Sequence, residues 1–299
     1  MRDSYRKMSE SSEYLTWRRL WNETAEKRGD RVEARWLCEH ASGTQGVEFD
    51  EILDEHPTTR CLAHLDAMLT RLETGEPLQY VMGRWAFRHL DVMVDSRVLI
   101  PRPETELLVD IVVDHCRERR VAQQKLLIAD LGTGSGVIGL SVLAEMPPDS
   151  CEVWMTDISD DAINVARANA AGIGRSATWA RFAVGSWCDA LPIELRGNVD
   201  VIVSNPPYIA DNDPAVDDSV RQWEPRSALF AGPDGLDDVR VIAAQAAQWL
   251  TPGGMLAIEI GYQQGDQVRD IFESAGLSGI AVHRDLAGHD RFVSGIRSR

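Results

Sequence analysis

The chain has 299 residues, of which 44% are apolar and 26% charged, and this ordinary composition excludes a wholly disordered or fibrous protein. Because 47 acidic residues outnumber 31 basic ones, the net charge is −16, which argues against a protein dedicated to binding DNA phosphates. No apolar run approaches the roughly 18–20 residues of a membrane span, and residues 1–12 lack the apolar core of a secretion signal, so we expect a cytoplasmic protein.

The first 76 residues have the hydrophobic periodicity of a small bundle of four or five helices. Asp30 and either Thr58 or Thr59 are placed to cap helices. Two apolar stripes recur at helical spacing, formed by Tyr14, Trp17 and Trp21 and by Leu62, Leu65, Leu69 and Leu72. We predict a helical domain over residues 1–76, of which residues 1–12 are an extension.

Residues 77–102 change to the alternating pattern of β-strands. Apolar residues alternate with polar ones in two runs, at 90–94 and 98–100, which Asp95–Ser96 separates. We predict a β-hairpin linker with its turn at this break.

From residue 103 to residue 299, strand patterns alternate with helical ones, which is typical of a parallel sheet with helices on both faces. The last two strand patterns are joined without a helix, which indicates an antiparallel pair. The strand patterns cover residues 125–130, 152–156, 178–184, 200–204, 255–260, 280–283 and 291–296. We therefore predict an α/β fold with a mostly parallel seven-stranded sheet.

A glycine loop follows the first of these strands, in the sequence Asp130-Leu131-Gly132-Thr133-Gly134-Ser135-Gly136. Glycines let the backbone approach a ligand, and the helix that follows offers free N–H groups. The G-x-G-x-x-G pattern of dinucleotide sites fails when counted from Gly132 and is met when counted from Gly134, so glycine spacing alone leaves the cofactor open. A tight turn without any ligand is a further interpretation.

Two acids favour a bound ligand over an empty turn. Asp130 could hold the ammonium group of an amino-acid ligand, whereas it would repel a pyrophosphate. Asp157 ends the next strand, where a carboxylate can accept hydrogen bonds from both hydroxyls of a ribose.

A second loop, Asn205-Pro206-Pro207-Tyr208, directly follows the strand at 200–204. Two prolines fix φ and remove two N–H donors, so the backbone carbonyls stay free to accept hydrogen bonds. A planar NH₂ group can donate one hydrogen to the Asn205 side-chain oxygen and the other to the Pro206 carbonyl, and Tyr208 adds an aromatic face. The loop predicts a site for a planar nitrogen, and the alternative is a rigid turn.

The two loops together resemble class I S-adenosylmethionine-dependent methyltransferases that act on a planar amine or amide nitrogen. From about residue 14 onward the chain is further similar to the HemK/PrmC family, the protein-(glutamine-N5) methyltransferases of peptide chain release factors. The segments that carry this likeness are Glu76-Pro77-Leu78-Gln79-Tyr80, Leu99-Ile100-Pro101-Arg102-Pro103-Glu104-Thr105-Glu106, Glu224-Pro225-Arg226-Ser227-Ala228-Leu229 and Glu259-Ile260-Gly261. One departure is His289, where we expect Asn.

The resemblance implies a Rossmann-like catalytic domain that binds S-adenosylmethionine and releases S-adenosylhomocysteine. The implied cofactor-binding residues are Asp130, Gly132, Thr133, Gly134, Ser135, Gly136, Asp157, Trp187 and Asn205. The implied catalytic residues, which also bind the substrate amide, are Asn205, Pro206, Pro207 and Tyr208. Arg102 and Glu104 would line the substrate entrance, although residues 102–106 are equally well interpreted as a helix start, and Trp187 as a core residue.

The implied reaction is methyl transfer to N5 of the glutamine in the Gly-Gly-Gln motif of class 1 release factors, which modulates translation termination. The resemblance also implies that the helical domain recognises this partner. We expect a monomer without a stable DNA or membrane partner. Four arginines, Arg84, Arg88, Arg97 and Arg102, either are simply exposed or contact an acidic face of the release factor.

Two other functions stay open on the sequence alone. An adenine exocyclic-amine methyltransferase for DNA or RNA would use the same Asn-Pro-Pro-Tyr corner on a flipped base. A binding protein that retains the cofactor without turnover would also keep both loops.

The cysteines predict neither a disulfide framework nor a metal site. There are five of them and no C-x-x-C pair, so we expect reduced, structural thiols. The spacings of Cys38-x-His40 and Cys61-x-x-His64 are poor for zinc, and we expect no metal.

Overall fold

A computed structural model describes residues 15–119 and 125–298, so the predicted extension over residues 1–12 lies outside the described residues. The chain divides into two compact units, of which the first ends at Met82 and the second begins at Gly83. No helix within the two described ranges is long and apolar enough to cross a bilayer.

The described part of the first unit is helical, as predicted. Its helices are α1 (Trp17–Arg28), α2 (Arg31–Ser42), α3 (Val47–Glu51), α4 (Thr59–Glu73) and α5 (Leu78–Met82). Asp30 caps α2, and Thr58 rather than Thr59 caps α4, because each side chain accepts a hydrogen bond from a backbone N–H of the first turn. The last helix, α5, occupies residues that the sequence analysis placed at the start of the hairpin linker.

The second unit begins with an antiparallel hairpin of β1 (Arg84–Phe87) and β2 (Leu90–Met93). The prediction of a turn at Asp95–Ser96 is wrong, because the chain turns at Arg88, which has a φ of 51°. Val98 and Ile100 are buried without forming a strand. The Ile100 N–H donates to the buried Glu224 carboxylate over 3.1 Å. Their alternating burial therefore comes from packing and not from strand pairing.

The remainder of the second unit is the predicted α/β fold. Its strands are β3 (Leu126–Leu131), β4 (Cys151–Asp157), β5 (Ala180–Val184), β6 (Val199–Ser204), β7 (Leu250–Glu259), β8 (Leu277–Arg284) and β9 (Asp290–Arg297). Its helices are α6 (Thr105–Arg119), α7 (Val137–Glu145), α8 (Asp160–Ala170), α9 (Asp218–Trp223), α10 (Asp237–Trp249) and α11 (Gly265–Ser274). The strand order is β5-β4-β3-β6-β7-β9-β8. Strands β3 to β7 run parallel, and β9 is antiparallel to both of its neighbours.

Every strand of the sheet begins at a residue other than the predicted one, and the largest difference is at β7. Strand β5 begins at Ala180 because the residues before it, Ala171–Trp179, form 3-10 turns on both sides of a kink at Gly174. Strand β7 begins at Leu250, which pairs with Val199, and its register then shifts before Met255 pairs with Val201. Because of this irregularity, the sequence pattern predicts only the second half of β7.

The order in which the chain adds strands to the sheet reverses between β3 and β6. The chain leaves β3 to add β4 and β5 on one side and then adds β6 on the other side of β3. Leu131 and Ser204, the last residues of these two strands, are paired neighbours. Because open α/β sheets bind ligands at such a switch point, the fold places the glycine loop and the Asn205–Tyr208 loop together.

Candidate active site

One cavity of about 410 Å³ lies between the two predicted loops. It is lined by residues 132–135 of the glycine loop and by Asn205 and Pro207 of the second loop. A second cavity of about 280 Å³ is lined by Asn205, Tyr208 and Arg102. Asn205 therefore contributes to both cavities, which we call the loop cavity and the entrance cavity.

The glycine loop adopts a conformation that favours glycine at three positions. Gly132, Gly134 and Gly136 have φ values of 67°, 55° and 87°. Gly136 also precedes α7 without offering a side-chain cap, and among the first N–H groups of this helix that of Gly139 donates to a side chain, Asp130. This geometry offers backbone donors and close access to an anionic or polar ligand group.

Asp130 holds the glycine loop in place through side-chain hydrogen bonds. Its Oδ2 accepts hydrogen bonds from the Thr133 hydroxyl over 2.6 Å and from the Gly139 N–H over 3.0 Å. The residue is fully buried, and burial raises its pKa to about 6. Its Oδ1 is buried without a hydrogen-bond partner among the described residues, so one oxygen keeps its capacity to accept. Asp130 is not among the residues that line the loop cavity.

Asp157 lines the loop cavity at the end of β4. Its Oδ2 accepts from the Gly134 N–H and its Oδ1 from the Ser159 N–H, both over 2.9 Å. Burial raises the pKa of this carboxyl, and the two backbone bonds oppose the shift. Each carboxylate oxygen has a further lone pair, so the side chain is fixed in place and can still accept from a ligand hydroxyl.

Trp187 forms a wall of the loop cavity and also packs against the core of the sheet. Its φ is 47°, an uncommon conformation for a bulky residue. Its ring lies over Gly132, where a Cβ atom would come within 3.1 Å of the ring. Asp238 lines the same cavity, and burial raises the pKa of its carboxyl while the neighbouring Trp187 lowers it. Trp187 therefore both lines the cavity, where the resemblance implies a cofactor-binding residue, and packs in the core, as the alternative interpretation expects.

The Asn205–Tyr208 loop is braced from the side opposite the glycine loop. Gln264 donates a hydrogen bond from Nε2 to the Tyr208 carbonyl over 2.9 Å. Gly235 packs so tightly here that a Cβ atom would lie 2.3 Å from the same carbonyl oxygen. Pro206 and Pro207 are buried, so the loop is held rigidly.

A buried acid that the sequence analysis did not single out lies behind this loop. Glu259 ends β7 and is 1% exposed. Its Oε2 accepts from the Thr105 hydroxyl over 2.6 Å, and its Oε1 accepts from the Tyr208 hydroxyl over 3.4 Å. Thr105 in turn accepts from Asn205 Nδ2 over 3.4 Å. These four side chains, Asn205, Thr105, Glu259 and Tyr208, form a chain of hydrogen bonds that we call the buried network.

The surroundings of Glu259 make it hard to ionise. Burial raises its pKa to about 7, and the negative charge of Glu104 adds to this increase. The hydrogen bond from Thr105 and the positive charge of Arg291 lower the pKa and so oppose it. Burial also raises the pKa of the Tyr208 hydroxyl, and the nearby Glu259 charge raises it further. The signal that could have identified Thr105 and Glu259 is their presence in two of the family-like segments.

The two residues predicted to line the substrate entrance have different surroundings. Arg102 borders the entrance cavity, and its Nη2 donates to the buried Glu224 carboxylate over 2.6 Å. Glu104 is exposed just before α6 and lines neither of the two cavities. The other three arginines of the predicted cluster also have internal carboxylate partners: Arg84 pairs with Asp91, Arg88 with Glu145, and Arg97 with Asp95.

Comparison with known proteins covers both units. Residues 104–222 match the family model of a methyltransferase small domain, and residues 17–83 match that of a PrmC N-terminal domain. A release factor glutamine methyltransferase of Xylella fastidiosa is 40% identical over 274 residues, which are 91% of this chain and 94% of that protein. One of Vibrio cholerae is 40% identical over 82% of this chain and 81% of that protein. A solved protein-(glutamine-N5) methyltransferase of Alicyclobacillus acidocaldarius is 25% identical over 67% of this chain and 95% of that chain, with a TM-score of 0.39.

Proposed function

Because this chain belongs to the release factor glutamine methyltransferase family, as its motifs predicted, we propose that it methylates a release factor. The methyl group passes from S-adenosylmethionine to the side-chain amide nitrogen, N5, of the glutamine in the Gly-Gly-Gln motif of class 1 factors. The observation that carries the proposal is the cavity shared by the glycine loop and Asn205. One ligand in this cavity would lie within reach of an amide held by the second loop.

The donor set of the loop cavity fits S-adenosylmethionine. Residues 132–136 and the start of α7 offer backbone N–H groups to its methionine part, and Asp157 offers acceptors to its ribose hydroxyls. Trp187 offers a flat face to its adenine. Asp130 does not line this cavity, so its proposed contact with the ammonium group depends on its buried Oδ1, which has no hydrogen-bond partner among the described residues. When bound, this cofactor supplies an electrophilic methyl group on a sulfonium.

The Asn205–Tyr208 loop would hold the carboxamide of the substrate glutamine. The Asn205 Oδ1 and the Pro206 carbonyl accept its two N–H hydrogens and orient the nitrogen lone pair toward the loop cavity. Bonds of this kind strengthen as the nitrogen becomes pyramidal and positive, so they stabilise the transition state more than the flat ground state. In-line alignment at roughly 3–3.5 Å accounts for much of the remaining acceleration. A methylated, positively charged amide nitrogen is acidic enough to lose its proton to a nearby oxygen or water.

The other residues that the resemblance implies stay part of the proposal. Pro206, Pro207 and Tyr208 shape the amide site, and Arg102 borders the entrance cavity. The role of the exposed Glu104 at the entrance rests on the resemblance alone, since it lines neither cavity. We expect the protein to be active as a monomer. Because release factors work on the ribosome, we expect the enzyme in the cytoplasm, without a stable DNA or membrane partner.

The adenine exocyclic-amine methyltransferase is not favoured, since the relatives that match over most of the chain are release factor glutamine methyltransferases. The net charge of −16 also opposes strong binding of nucleic acid. A binding protein without turnover would bind the cofactor and transfer nothing.

The test supplies purified protein with S-adenosylmethionine labelled in its methyl group and one of three acceptors. These are a class 1 release factor, the same factor with the glutamine of Gly-Gly-Gln replaced by alanine, and an adenine-containing DNA or RNA oligonucleotide. We expect label in the first acceptor alone, located at the glutamine by mass spectrometry. Label in the oligonucleotide and not in the release factor would overturn the proposal, and so would cofactor binding without transfer to any acceptor.

A further inference from the structure

An asparagine amide is useful to a substrate NH₂ group in only one of its two orientations. The side-chain oxygen accepts hydrogen bonds, whereas the NH₂ end only donates. If the amide of Asn205 were rotated by half a turn, its NH₂ group would face the NH₂ group of the substrate. The acceptor role of Asn205 therefore requires something that fixes this orientation.

The buried network contains a group that can do so. The Thr105 hydroxyl has a single hydrogen, and the 2.6 Å bond to Glu259 uses it. A bond this short is typical of a charge-assisted hydrogen bond to an ionised carboxylate, which is the form of Glu259 above its pKa of about 7. Thr105 then has only lone pairs left for Asn205, and it accepts from Nδ2 over 3.4 Å.

We propose that Glu259 is a positioning residue, which acts through Thr105 to hold the Asn205 amide with Oδ1 toward the substrate carboxamide. This inference rests on the proposed function and adds residues to its site. Glu259 does not line the loop cavity or the entrance cavity, so it acts only through its neighbours. Its bond to the Tyr208 hydroxyl holds the other end of the same loop.

The sheet explains why an acid distant in sequence can serve this loop. Strand β7 pairs with β6, with Ile258 opposite Ser204. Glu259 is therefore placed beside Asn205, the residue that follows Ser204. Thr105 begins α6 and is 2% exposed, so the helix start supplies the hydroxyl between them.

Losing the carboxylate has a specific consequence. Without an acceptor at Glu259, the Thr105 hydroxyl is free to donate to Asn205 Oδ1 and to stabilise the rotated amide. In the rotated amide, the NH₂ group of Asn205 faces the NH₂ group of the substrate carboxamide, and two donors cannot bond to each other. The substrate therefore binds less well, and its amide nitrogen is no longer polarised. The cofactor is held mainly by other residues and should bind nearly unchanged.

The experiment compares Glu259→Met, which removes the acceptor at this position, Thr105→Val and Thr105→Ser with Asp200→Asn as the control. Asp200 is also a buried acid of this sheet, but it lies near the opposite end of β6, where it accepts from the Leu127 N–H. For each variant, kcat and KM are measured with the release factor, and the affinity for S-adenosylhomocysteine by calorimetry. We expect Glu259→Met and Thr105→Val to lose roughly 10–100-fold in kcat, the scale on which partners of a functional side chain act. We also expect Thr105→Ser to recover most of this loss.

A second measurement is independent of the methyl acceptor. With ¹⁵N-labelled asparagine, the side-chain NH₂ signal of Asn205 reports its hydrogen bond to Thr105, and it is assigned by its absence in Asn205→Ala. We expect this signal to shift and to exchange faster in Glu259→Met and Thr105→Val than in Asp200→Asn. If Thr105→Val is as active as Thr105→Ser and the signal stays unmoved, the inference is wrong. If wild-type protein leaves release factors unmethylated while the signal shifts as expected, only the proposed substrate is wrong.

Discussion

Ser204 donates a hydrogen bond from Oγ to the Leu131 carbonyl over 2.7 Å, at the point where both strands end. The bond ties together the residues that precede the two functional loops. Gly132 and Asn205 therefore leave neighbouring strands at the same level of the sheet. A methyl donor and an amide acceptor need this kind of fixed spacing, because alignment contributes a large part of the acceleration.

Replacing Asn205 by alanine should separate cofactor binding from turnover. The change removes a side-chain acceptor that strengthens in the transition state, so we expect kcat to fall roughly 10²-fold or more. The affinity for S-adenosylhomocysteine should stay within about tenfold of wild type, a difference of roughly 1.4 kcal/mol. Methyl transfer and calorimetry measure the two quantities.

The matched control is Asn198→Ala, because Asn198 is exposed just before the opposite end of β6. It should keep the wild-type kcat. Unchanged turnover in Asn205→Ala would show that the loop does not hold the amide.

Replacing Gly132 by alanine should weaken cofactor binding more than replacing Gly134. Both have positive φ, at 67° and 55°, so both alanine variants carry strain of about 1 kcal/mol. Only at Gly132 would the new Cβ press on Trp187, at 3.1 Å, whereas Gly134 has nothing within 4 Å. We expect the affinity for S-adenosylhomocysteine to be about tenfold lower in Gly132→Ala than in Gly134→Ala. Equal affinities, measured by calorimetry, would contradict a binding role for this contact.

The sequence predicted the α/β sheet and the two loops because both depend on local pattern. Apolar strands run directly into Gly132 and Asn205, and alternation with helices predicts parallel pairing. The hairpin turn was misplaced because buried Val98 and Ile100 imitate strand alternation. The Ile100 N–H bonds to Glu224, a distant residue, and local pattern does not reveal such a contact.

The buried network was beyond prediction for the same reason. Thr105 and Glu259 are 154 positions apart in the sequence. A threonine at the start of a helix and an acid at the end of an apolar strand are each common alone. Only the pairing of β6 with β7 shows that they meet behind Asn205.

Glu259 should make the stability of the protein depend on pH. Its pKa rises from 4.5 in the unfolded chain to about 7 in the folded one, because of burial. The folded state then binds this proton more tightly, so the free energy of unfolding falls as the pH rises from about 4.5 to about 7. The loss amounts to about 3 kcal/mol at 1.36 kcal/mol per pKa unit. The positive charge of Arg291 opposes this rise in the pKa of Glu259, and the negative charge of Glu104 adds to it.

The measurement is urea unfolding of wild type and Glu259→Gln between about pH 5 and about pH 8. The variant carries no titrating group at this position, so its stability relative to wild type should improve as the pH rises. Asp130 has its pKa raised to about 6 but is present in both proteins and cancels in the difference. A difference that stays constant with pH would show that Glu259 does not titrate in this range.

Trp187 should contribute a stacking surface as well as packing. If its ring lies against the adenine, Trp187→Ala loses about 1–3 kcal/mol of stacking, which lowers the affinity for S-adenosylhomocysteine roughly 5–150-fold. Trp187→Phe keeps an aromatic ring at this position, so we expect it to keep most of the affinity. The control is Trp154→Ala, since Trp154 packs against the same core without lining the loop cavity. If Trp187 were purely structural, it would behave like Trp154. Trp187→Ala and Trp187→Phe would then lower the melting temperature and leave the affinity for S-adenosylhomocysteine unchanged.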